Sequence, residues 1–250
     1  MSLGSDLATG LDPVVLARRL GMEPDDWQAR VLRSLAPRLL MLCCRQSGKS
    51  TVSAILAVHA ALYEPGSLVL MLSPSQRQSQ ELFRKALSFY RALGRPVPSA
   101  AENQLSMSLE NGSRIVSLPG AEQTVRGFSG VRLLLVDEAA RVPDETYYAA
   151  RPMLAVSGGR LVLMSTPAGK RGFFAETVAE SRGWQVEKVR AADCPRLLPA
   201  FLEDERRTLG DFYYSQEYEL AFVDDEMQVF SEEWVAAAFT REVEPLWPTS

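Results

Sequence analysis

The chain has 250 residues, 46% hydrophobic and 23% charged, enough for one large core or for one domain with a small appendage. It contains no apolar run of the roughly 18 residues a membrane span needs and no basic-then-apolar leader, so we expect a cytosolic protein without membrane contact. The net charge of −4 excludes a uniformly basic nucleic-acid binder, and Cys43, Cys44 and Cys194, which have neither disulfide arithmetic nor zinc spacing, are expected to be reduced.

In chain order, "PDDWQARVLRS" reads as an amphipathic helix headed by Trp27 and Gln28. The Gln28 amide offers the donor and acceptor that would read an adenine edge, although an exposed helical glutamine explains it equally well. Short apolar runs at 39–43, 68–72, 133–136 and 161–165 read as buried strands. The segment 49–62 places Val52, Ile55, Leu56 and His59 at helical spacing, and His59, the single histidine, reads as a packed or capped core residue. Around Asn111-Gly112 the alternation in "LSMSLENGSRIVSL" predicts a hairpin that decorates the sheet. The last sixty residues read as helical and polar. Together these predict an α/β fold with a mainly parallel sheet, helices on both faces and a small helical lid at the C-terminal end. We divide the chain into an N-terminal helical segment (1–36), a core (37–192) and a lid or linker (193–250).

The chemistry concentrates in three stretches. "CCRQSGKST" carries the second half of the phosphate-loop pattern G-x-x-x-x-G-K-[ST] in Gly48, Lys49 and Ser50, but Cys43 holds the place of the first glycine. A strand entering such a loop and a helix leaving it aim backbone N–H groups at a phosphate; Lys49 would reach the outer phosphates and the Ser50 hydroxyl would bind Mg2+. "LLLVDEAA" ends a buried run in Asp137, placed to hold the magnesium, and Glu138, placed to polarise an attacking water. "RLVLMSTPAGKRG" delivers Ser165 and Thr166 before Pro167 stops the strand. These features predict an ATP hydrolase.

With "DDWQARVL", "CRQSGKST", "VRGFSG", "LLLVDEAA" and "MSTPAGKRGFF" in this order, residues from about 12 to 225 resemble the ATPase domain of the large terminase subunit, the motor that packages DNA into tailed-phage capsids. The resemblance implies a P-loop NTPase of the ASCE, RecA-like kind. It implies nucleotide contacts from Gln28, Arg45, Gln46, Ser47, Gly48, Lys49, Ser50 and Thr51, magnesium at Ser50 and Asp137, and catalytic roles for Glu138, Arg45, Arg126 and Thr166. Arg45 within the loop, or Arg126 reaching a neighbour, would deliver the arginine finger. It further implies double-stranded DNA, a portal protein and a small terminase subunit as partners, a ring of identical subunits, and work in the host cytoplasm. Arg77, Arg84, Lys85, Lys170 and Arg171 are the basic candidates for DNA. Relatives continue into a nuclease domain; here Asp224, Asp225, Glu226, Glu232 and Glu233 read as a solvated acidic run, so nuclease activity is not expected. The competing readings are a superfamily 2 helicase or translocase fragment and a nucleotide-binding scaffold that does not hydrolyse.

Overall fold

The structure is a computed structural model that describes residues 3–120, 125 and 127–223. Helices α1 (Leu3–Leu11), α2 (Pro13–Arg19) and α3 (Asp26–Arg33) come first. Asp12 caps α2 by accepting the Val14 N–H at 2.9 Å and also binds Arg33, which ties α2 to α3 at one carboxylate. There follow β1 (Arg38–Cys43), α4 (Lys49–Tyr63), β2 (Leu68–Ser73), α5 (Gln76–Ala92), β3 (Ser99–Glu102), β4 (Ser106–Leu109), β5 (Arg114–Pro119) and β6 (Val131–Asp137). The described chain ends with α6 (Asp144–Ala150), β7 (Arg160–Ser165), α7 (Gly172–Glu180), β8 (Gln185–Val189) and α8 (Pro199–Tyr218), the last broken at Gly210, whose φ is 72°.

One sheet runs β3-β4-β5-β2-β6-β7-β1-β8. Among the described residues all pairings from β5 through β8 in this order are parallel, and only the β3–β4 and β4–β5 ladders are antiparallel. Nearly every residue of β1, β2, β6 and β7 is buried although successive side chains point to opposite faces, so both faces are covered. Helix α4 packs with α5 and with the N-terminal helices, and α6 packs with α7. Leu40, Met71, Leu135 and Leu163 are fully buried, each such side chain contributing about 1.5–3 kcal/mol of transfer free energy.

The four expected strands and the expected helix all form, each one residue longer than the sequence suggests except β6, which is three residues longer. Asn111-Gly112 does turn a hairpin, with Gly112 at φ 84°. The hairpin is no decoration, however: β5 pairs in parallel with β2 along its whole length and is an interior strand. Its turn also caps α4, because Asn111 Nδ2 donates to the Ala61 carbonyl (2.9 Å) and the Gly66 N–H donates to the Asn111 carbonyl (3.1 Å). Strand β8 escapes the sequence reading because an edge strand carrying Glu187 and Lys188 has no apolar run.

Candidate functional site

Strand β1 carries the chain into the loop in extended form as far as Cys43, which is completely buried and does not have positive φ. The position where a glycine is usual therefore needs only a small apolar side chain. The left-handed turns fall instead on Gln46 (φ 59°) and Gly48 (φ 96°). Gly48 is doubly constrained, since a Cβ there would also lie 2.7 Å from Gln28 Nε2. The loop ends at the first turn of α4, where unpaired N–H groups and the helix dipole favour an anion. Ser47 is buried, Arg45 and Gln46 are exposed, and Thr51 Oγ1 accepts from Lys85 Nζ at 3.3 Å.

Facing the loop, β6 ends in Asp137 and Glu138, and β7, which lies between β6 and β1, ends in Ser165 and Thr166. Lys49 Nζ is 2.9 Å from Glu138 Oε1, and Ser50 Oγ donates to Asp137 Oδ2 at 3.4 Å. Burial pushes the Asp137 carboxyl up to about 6 against the attraction of Lys49. For Lys49 burial opposes the charge, yet the Glu138 and Asp137 carboxylates prevail and hold its ammonium above its ordinary value. The Ser50 hydroxyl and the Asp137 carboxylate thus offer two hard oxygens side by side, a donor set suited to a small divalent cation whose charge would offset the burial of Asp137.

Glu138 itself has left-handed backbone (φ 49°, ψ 44°), a conformation that costs a non-glycine residue roughly 1–2 kcal/mol. It turns the chain off β6 into a 3-10 turn, Ala139–Arg141, that brings Arg141 back over the carboxylate. Arg141 is a site residue that sequence reasoning missed. Its Nη1 donates to Glu138 Oε2 (3.1 Å) and Thr166 Oγ1 (3.0 Å), and its Nη2 donates to Glu217 Oε1 (3.1 Å) near the end of α8. The Glu217 carbonyl in turn accepts the Arg45 N–H at 2.8 Å. The one signal in the sequence is the three-residue spacing from Glu138, which many surface arginines share.

Gln28 stands against the loop and is 8% exposed, so the exposed-glutamine alternative does not hold. Both ends of its amide are engaged within the chain: Oε1 accepts the Asp25 N–H (3.0 Å), and Nε2 donates to the Ser47 carbonyl (3.4 Å). Arg196 donates to the same carbonyl at 2.7 Å and to Asp25 at 2.7 Å, clamping the loop from the segment before α8. The three cysteines are free and buried; Cys44 and Cys194 lie with their sulfurs 3.7 Å apart beside the loop, a proximity their spacing in sequence does not suggest. Of the basic DNA candidates, Arg84 is paired with Glu81 and Lys85 with Thr51. Arg126 and the acidic run Asp224, Asp225, Glu226, Glu232 and Glu233 lie outside the described residues.

Residues 40–237 match the family model described as terminase large subunit, T4likevirus-type, N-terminal. The chain is 27% identical over 248 residues to the large terminase subunits of Thermus phage G20c and of Thermus virus P23-45, in each case over 85% of this chain and 51% of the relative. It therefore spans about half the length of the curated relatives it matches. Among solved structures it is similar to the large terminase ATPase domain of Thermus phage P74-26, with a TM-score of 0.74 at 21% identity over 83% of this chain and 97% of that one. It is also similar to the large terminase of the thermophilic bacteriophage D6E in complex with ADP, with a TM-score of 0.65 at 13% identity over 80% of this chain and 53% of that one. At these identities the structural likeness speaks for the fold.

Proposed function

Because the chain belongs to the family of terminase large subunits, N-terminal, T4-like-virus type, we propose that it is the ATP-hydrolysing domain of a motor that moves double-stranded DNA into a phage procapsid. One observation carries the reading. The carboxyl ends of three neighbouring strands, β1, β7 and β6, bring Lys49, Ser50, Asp137, Glu138 and Thr166 together at the N-terminus of α4. That is the place and the residue set that phosphoryl transfer requires.

In this reading the loop N–H groups and Lys49 hold the phosphates, and Glu138 orients and polarises the water that attacks the third phosphate. Ser50 and Asp137 would hold Mg2+, which when bound supplies positive charge to the phosphate oxygens. Thr166 would respond to the third phosphate. Gln28 would meet the adenine by exchanging one of its two present partners for the base. The guanidinium of Arg45 is exposed and has no hydrogen bond or ion pair among the described residues, which suits a finger acting in its own subunit; Arg126 is the rival acting on a neighbour. Portal protein, small terminase subunit and a homo-oligomeric ring in the host cytoplasm complete the proposal.

The test is steady-state ATP turnover with and without Mg2+, across protein concentrations. The ATPase reading expects magnesium-dependent turnover that Lys49→Ala removes. Binding without turnover at any concentration would make the chain a nucleotide-binding scaffold. Turnover per subunit that rises with concentration assigns the finger to a neighbour, and a flat profile abolished by Arg45→Ala assigns it to Arg45.

A further inference from the structure

We propose that Arg141 is a positioning residue that carries the state of the nucleotide site to helix α8, a role that rests on the ATP reading above. One guanidinium nitrogen holds Glu138 and Thr166, and the other holds Glu217. The guanidinium is a rigid planar fork, so a displacement of Glu138 or Thr166 turns the contact to Glu217 with it. The side chains of Glu138 and Glu217 are only 21% and 13% exposed and that of Arg141 37%, so these bonds are sheltered compared with an ordinary surface pair.

The Glu138 carboxylate is divided between two cations, Lys49 on Oε1 and Arg141 on Oε2. Phosphate arriving at α4 competes for Lys49, and Arg141 is then the remaining cation that orients Glu138. The same event bears on α8 from a second side, because the Glu217 carbonyl holds the Arg45 N–H within the loop. The last turn of α8 is thus attached to the loop through its backbone and to the ends of β6 and β7 through Arg141. If Arg141 served only to neutralise two carboxylates, the response of α8 to nucleotide would not depend on Arg141.

The experiment uses the full chain, a magnesium complex of a non-hydrolysable ATP analogue, and amide hydrogen exchange over residues 211–218. In the wild type the analogue should change exchange there by about fivefold or more, the lower end of measured coupling between sites. Arg141→Gln should still bind the analogue within about threefold of wild type, lose the exchange response, and lower kcat about tenfold with KM unchanged. Arg141→Lys should regain part of kcat. Glu217→Gln, which cuts the link at its far end, should lose the exchange response as well, and the double variant should be no worse than either single one. Thermal melts near the wild-type value establish that each variant folds. A response that persists in Arg141→Gln or Glu217→Gln overturns the proposal, as does a wild type that binds the analogue with no response at α8. A wild type that binds no analogue sinks the ATP reading itself, and the link falls with it.

Discussion

The Lys49 ammonium lies 2.9 Å from the Glu138 carboxylate, so the residue proposed to bind phosphate and the residue proposed to activate water neutralise each other. ATP must break this pair. Glu138→Gln leaves Lys49 without its carboxylate competitor, and we expect ATP affinity to rise severalfold while turnover falls by about 10² or more, the usual effect of losing a general base. Lys49→Ala should lose tight binding. Affinity and turnover measured on both variants check this; equal losses of binding in the two would sink the division of roles.

Gln28 bonds the Ser47 carbonyl and sits against Gly48, so its removal reaches the loop as well as any base. If it reads adenine, Gln28→Ala raises KM for ATP and barely changes that for GTP. If its main work is to clamp the loop, both nucleotides weaken together, and Arg196→Ala, which removes the other donor to Ser47, has the same effect. Paired KM values for the two nucleotides decide it.

Gly159 enters β7 so close to its neighbour that a Cβ would stand 2.0 Å from the Val131 carbonyl oxygen. Gly159→Ala should destabilise the chain by about 2–3 kcal/mol, in the range of overpacking, because the clash is with backbone and cannot be relieved by a side-chain rotation. Gly158→Ala, at φ 57° but with nothing within 4 Å of its Cβ, should cost about 1 kcal/mol. Denaturant titration of the two variants separates steric from conformational cost.

His59 Nε2 lies 3.1 Å from the Thr9 and Gly10 carbonyls, and burial holds the imidazole below its usual value despite these acceptors. The unfolded chain therefore binds more protons here than the folded one does. The stability this residue contributes is present above its ordinary value of 6.5 and is lost as pH falls below it. Asp137, raised by burial, works in the opposite direction below its value of about 6, so a global melt mixes the two. The local readout is α1: its protection, taken relative to the intrinsic exchange rate at each pH, should be lower at about pH 5.5 than at about pH 7.5, and His59→Gln should remove the difference.

The strands that build the site were legible because parallel strands buried on both faces leave continuous apolar runs, as "LLML" and "LLLV" do. Gly48-Lys49-Ser50 and Asp137-Glu138 were legible because each lies next to such a run. Arg141 was not, because its partners Thr166 and Glu217 are 25 and 76 residues away and nothing local marks it. The clamp of Arg196 on Ser47, 149 residues away, was hidden for the same reason. The hairpin was found from its turn, but its place inside the sheet depends on which strand β2 chooses as its second partner, a tertiary matter that alternation does not encode.

Helix α4 begins at the loop and ends under Asn111, so it is anchored at its far end by the turn of a hairpin on the other half of the sheet. A rod fixed in this way has little freedom to slide along its own axis. Recoil at the loop on loss of a phosphate would then be passed sideways, to the ends of the adjacent strands, and any useful stroke would emerge there while the rod stays still. Under the motor reading proposed above, Asn111→Ala should free the rod and let part of that stroke dissipate: ATP would be consumed at the wild-type rate, with less DNA moved for each molecule spent.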